Sequence, residues 1–94
     1  MGYSISVLHK ADIHILKATE SIHSKNPKQV AVFLKTIDST IKYIQKNPLK
    51  CQVRYRDIRI NFIHHFQIGI HYVVRDKNIR VIGVFFMKQD SESW

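Results

Sequence analysis

The stretch Ile68-Gly69-Ile70-His71-Tyr72-Val73-Val74, followed after a charged break by Ile79-Arg80-Val81-Ile82-Gly83-Val84-Phe85-Phe86, decides how the rest of the chain must fold. Both halves are dense in β-branched and aromatic residues, which suit a pleated surface, and Asp76-Lys77-Asn78 between them has the composition of a turn. The pattern predicts two paired strands. Strict alternation along the second puts Val81 and Phe85 on one face and Ile82, Val84 and Phe86 on the other. A strand that is apolar on both faces belongs in the middle of a sheet. Everything earlier in the chain must cover or extend that sheet.

Working back from the hairpin, Val53 and Tyr55, then Ile58, Ile60 and Phe62, interleave with Arg54, Arg56, Arg59 and Asn61. A phase slip at Arg56-Asp57 divides them into two short strands joined by a turn or bulge. His64-His65-Phe66-Gln67 connects them to the hairpin. Farther back the period changes. Val30, Phe33, Leu34, Ile37, Ile41 and Ile44 trace the apolar stripe of a helix, bracketed by Asn26-Pro27 as a capped start and Asn47-Pro48 as a stop. From Ala11 to about Ser24, Ala11, Ile15, Ala18 and Ile22, joined by Leu16, mark a shorter helix with His14, Lys17 and His23 off its stripe. Tyr3, Ile5 and Val7 alternate with polar residues as a half-buried first strand. The order predicts one α+β domain over residues 1–94: an N-terminal strand, two antiparallel helices on one face of a mainly antiparallel sheet, and three or more C-terminal strands that complete it. The tail from Lys88 to Trp94 is polar apart from its last residue and is expected to be irregular.

A chain of 94 residues makes a single modest core. Its longest uncharged apolar run, Val81 to Met87, is too short for a bilayer, and Met1-Gly2-Tyr3-Ser4 lacks the basic start of a signal peptide, so a soluble cytoplasmic protein is expected. Cys51 is the single cysteine, which excludes an intramolecular disulfide and a four-thiolate metal site. The formal charge is +8, and nine of the fifteen basic residues fall between Lys25 and Arg59 against two acids there. So concentrated a positive field favours a polyanionic partner, nucleic acid or an acidic protein segment, in salt-sensitive binding.

In this order and spacing, several pieces resemble the RelE/ParE superfamily of toxins from bacterial type II toxin-antitoxin systems. They are Ala11-Asp12-Ile13 opening the first helix, Asn47-Pro48 closing the second, Arg59 on the strand before the hairpin, Phe66 with Ile70 and Tyr72, Val81 to Phe85 as the last strand, and the terminal Asp90 and Trp94. The resemblance implies a growth-inhibiting toxin neutralised by an antitoxin whose flexible segment wraps over it. RelE-like members cleave mRNA in the ribosome; ParE-like members share the fold, lack that nuclease site and poison DNA gyrase.

Cleavage by a 2′-hydroxyl needs a base, an acid and cations for the phosphate. By the resemblance Arg59 is the phosphate-binding arginine, with Arg54, Arg56 and Lys50 as further RNA- or target-binding cations. The positions where family nucleases carry His and Arg after the last strand read Phe86 and Gln89 here, leaving Lys88 as the ionisable group between Arg80 and Asp90. Lysine titrates near 10.4 unless strongly desolvated, which makes it a poor base at neutral pH. His65 is a displaced substitute if the chain is a nuclease, and His71, which alternates away from Ile70 and Tyr72 on the first hairpin strand, is another. This departure favours a ParE-like or catalytically degenerate toxin over the nuclease, with a non-toxic nucleic-acid-binding module as a third reading. Phe86, Met87 and Trp94 are the expected antitoxin contacts, since an apolar groove rimmed by positive charge suits an acidic and hydrophobic partner segment. His9 and His14 lack helical-pair spacing and no carboxylate or cysteine completes a ligand set, so neither metal nor cofactor is expected.

Overall fold

A computed structural model describes residues 2–87 of the chain. Strand β1 (Ser4–Val7) leads into helix α1 (His9–Lys25) and, after a 3-10 turn over Pro27–Gln29, into helix α2 (Val30–Lys46). Then come β2 (Val53–Tyr55), β3 (Ile58–Ile63), a second 3-10 turn at His64–Phe66, and the hairpin β4 (Ile68–Arg75) and β5 (Asn78–Phe86). The five strands form one sheet in the order β1-β5-β4-β3-β2, antiparallel from β5 to β2, with β1 parallel to β5. The expected architecture is present, and the hairpin lies at its centre.

The link between β4 and β5 tightens to Asp76 and Lys77, because Arg75 already pairs with Asn78. Asp76 takes the left-handed backbone (φ 54°) that a short polar side chain tolerates. Arg56 (φ 51°) does the same between β2 and β3, where the sequence slips phase, and Gln67 (φ 58°) does so at the entry to β4.

Strict alternation fails in β5. Tyr72 pairs with Val81 but His71 pairs with Gly83, so Ile82 is the extra residue of a bulge. Past it the faces exchange: Val81, Val84 and Phe86 share one face, and Gly83 and Phe85 share the other. This corrects the expectation that Val81 and Phe85 point the same way. The signal was Gly83, since glycine inside a strand marks a bulge or a close approach.

Phe33, Ile37 and Ile44 of α2, with Ala11 and Ala18 of α1, pack on Ile63, Ile68, Ile70, Tyr72, Ile79, Val81 and Val84. The two alanines let α1 lie close against β5. Leu16 and Leu34, expected in the stripes, are 60% and 44% exposed. Leu34 follows Phe33 by one residue, a rotation of about 100° that carries it off the buried side. Asn26 makes no side-chain cap; its carbonyl accepts the Gln29 N–H (2.9 Å) in the 3-10 turn, which displaces the start of α2 to Val30. Asn47 does end α2, with its backbone N–H bonded to Tyr43 and Ile44 carbonyls and its side chain to Tyr43.

Candidate functional site

Arg59 faces Tyr72 across the β3–β4 pairing, so both side chains emerge on the helix side of the sheet. There they hold the loop that leaves α2. The Tyr72 hydroxyl donates to the Pro48 carbonyl (2.9 Å), and Arg59 Nη1 donates to the carbonyls of Cys51 (2.6 Å) and Leu49 (3.3 Å). Tyr72 is fully buried, and burial, followed by its contact with Cys51, holds its hydroxyl well above the usual tyrosine range. It is a packed donor, unsuited to giving up a proton. Asp57, the acid nearest Arg59 in sequence, pairs instead with Arg75, whose hydrogen bond lowers its carboxyl below the ordinary range.

The other side of the sheet carries a different group. Tyr55, Ile58, Ile60, Phe62, His71 and Phe85 share this face by register, and the helical core lies on the opposite one. His71 is 3% exposed, and its Nδ1 lies 2.9 Å from the Tyr55 hydroxyl. Burial, reinforced by the charge of His14, pushes its pKa down to about 4, so it is neutral at physiological pH. Phe85 meets His71 edge-on (4.8 Å between centroids) and His14 at a tilt (4.5 Å). Phe85 and Phe86 are 40% and 45% exposed, an apolar end to β5. Arg54 stands over the Phe62 ring, 5.3 Å from its centroid, and Arg80, opposite Val73, is exposed on the same face.

The residues singled out from sequence therefore disperse. Arg59 clamps a loop on the helix side, Arg54 lies over Phe62 on the other side, and Arg56 and Lys50 are exposed in the β2–β3 turn and the 47–52 segment. His65 is exposed in the second 3-10 turn, with Nε2 3.4 Å from Gln29 Oε1. It lies beyond Ile63, about 13 Å along the strand from Arg59 at the usual rise per residue. His71 follows the opposite face. Neither histidine is brought to Arg59. Phe86 pairs with Ile68 and so takes the helix side, while Met87 is partly buried and donates its N–H to the Gln67 carbonyl (2.6 Å). Lys88, Gln89, Asp90 and Trp94 lie outside the described residues. Reading from sequence missed the buried pair His71–Tyr55 and the part played by His14, because both depend on the register between strands and on which helix residue meets β5, which alternation within a strand does not give.

Among the described residues, no three of His, Cys, Asp and Glu come together to hold a metal ion, and no helix is long and apolar enough to cross a membrane. The molecule is an α+β domain whose two helices cover one face of a five-stranded sheet and whose other face is apolar with arginines at its margins. The same fold occurs in a solved structure of the chromosomal ParDE toxin-antitoxin system from P. aeruginosa, with a TM-score of 0.81 over 92% of this chain and 97% of that one. Sequence identity there is 13%, so the likeness is one of fold. No protein-family model and no curated protein matches the sequence.

Proposed function

We propose that the chain is the toxin of a toxin-antitoxin pair, silenced by a cognate antitoxin and acting in the cytoplasm on DNA gyrase in the ParE-like manner. The observation that carries the reading is agreement with the ParDE structure over 92% of the chain. The choice of branch is supported by Arg59. Its guanidinium is engaged with loop carbonyls, and among the described residues neither His65 nor His71 stands beside it to supply the acid or base that RNA cleavage needs.

The antitoxin would lie across the sheet face that carries Phe62, Val73 and Phe85 and reach Phe86 and Met87 at its end, with Trp94 of the tail as a further contact. Arg54 and Arg80 at the margin suit an acidic segment, and the exposed aromatic rings suit its apolar residues. Induced expression tests the whole reading. Growth arrest with DNA damage, relieved by co-expression of a small acidic protein encoded beside the gene, is the expected result. Arrest with mRNA cut at ribosomes would replace it with the nuclease, and absence of arrest would leave a nucleic-acid-binding module.

A further inference from the structure

β1 pairs with β5 only as far as Val81, and beyond that point no described strand lies on the outer edge of β5. Such an edge presents backbone N–H and C=O groups to any other extended chain. Here the Val84 N–H is already taken by a side chain, since it donates to Nδ1 of His14 on α1 at 3.2 Å. The imidazole rests on Phe85, and Gly83 makes room for both rings. A Cβ at Gly83 would fall 2.5 Å from Phe85 Cε2 and 3.4 Å from His14 Nδ1.

We propose that His14 is a proton-operated guard of this edge: neutral, it occupies the Val84 N–H, and on protonation it lets that group go. The reason lies in the atoms. A neutral imidazole has one N–H and one lone pair, so a ring that accepts at Nδ1 carries its hydrogen on Nε2. The next proton can add only to Nδ1, where it meets the Val84 N–H head-on. An amide N–H cannot reverse and accept, so the proton and the hydrogen bond exclude each other. His71 differs, because the Tyr55 hydroxyl facing its Nδ1 can turn from donor to acceptor.

The groups around the guard favour the closed state at neutral pH. Lys10 and Lys17 face His14 from α1, His71 faces it from β4 with Tyr55 of β2 behind, and the adjoining Gly83, Val84 and Phe85 of β5 are uncharged. Burial first, then the two lysines, hold His14 below the ordinary histidine value. Among the described groups whose charge acts on His14 there is no carboxylate to favour the imidazolium.

Amide hydrogen exchange followed by NMR on the whole chain between pH 7.5 and 4.5 tests this, with rates corrected for intrinsic exchange. Protection of Val84 is expected to fall about tenfold more than that of Ile70 and Val81, in step with the ring resonance of His14, as loss of one hydrogen bond implies. His14→Gln, whose amide oxygen accepts at any pH, keeps the protection and abolishes the acid step; His14→Ala lacks the protection throughout. A Val84 amide that follows Ile70 and Val81 across the His14 titration overturns the proposal, as does an acid step that persists in His14→Gln. Should either variant fail to fold, the unmodified chain decides alone, because its Val84 rate and His14 resonance are read in the same samples.

Discussion

Replacing Arg59 by Ala removes two of the bonds that fasten the segment after α2 to the sheet and leaves the one from Tyr72 to Pro48. The bond to the Cys51 carbonyl, at 2.6 Å, is short and charge-assisted, while the one to Leu49, at 3.3 Å, is long and weak. Hydrogen bonds from charged groups are worth roughly 1.5–3 kcal/mol when well buried. Arg59 is only partly buried, so water recovers some of the loss, and about 1.5 kcal/mol remains as the expected cost. For a small domain with a urea m-value near 1 kcal/mol/M, that moves the unfolding midpoint down by about 1.5 M with no change in slope. Arg59→Lys should recover part of it, because the ammonium keeps enough N–H donors but sits on a shorter side chain and is more strongly hydrated than the guanidinium. The decisive assay sets urea unfolding beside growth arrest in cells. An Arg59→Ala protein with reduced stability that still arrests growth when folded fits a structural clamp. An unchanged midpoint combined with complete loss of arrest would refute the reasoning, because Arg59 would then act on a target and not on its own loop.

Stability should fall in acid on account of His71. Its folded-state pKa is depressed to about 4, so the unfolded chain binds a proton that the folded one refuses below the ordinary value near 6.5; the loss begins there as pH drops and is complete near pH 4. It amounts to about 3 kcal/mol, measurable as a fall in denaturation midpoint that His71→Gln should largely remove. Phe33→Ala empties a fully buried position under the sheet and should cost about 3–4 kcal/mol in equilibrium unfolding. Gly83→Ala forces the Phe85 ring aside, and because that ring is partly exposed the cost should stay near 1 kcal/mol, with ring-current shifts at His14 and His71 changing in the NMR spectrum.

Most of the architecture was legible in the order of residues because it rests on local periodicity. The steps of three and four from Phe33 to Ile44, the alternation of Val53 to Phe62 and the two Asn-Pro marks are read within a few residues of one another, and the structure places elements at all of them. Net charge and its crowding between Lys25 and Arg59 are likewise properties of the chain as written. What the chain could not disclose were the relations between distant segments. One inserted residue at Ile82 exchanges the faces of everything after it, so Phe85 comes to lie with His71 and Phe86 with Ile68. Arg59, whose polarity suggested a ligand, is engaged by carbonyls eight and ten residues earlier, and His14 meets a strand seventy residues away. Side-chain direction and burial depend on which backbone arrives alongside. That is settled only when the helices close over the sheet, so the tertiary structure alone decides which of the polar residues are used up in holding the fold and which remain for a partner.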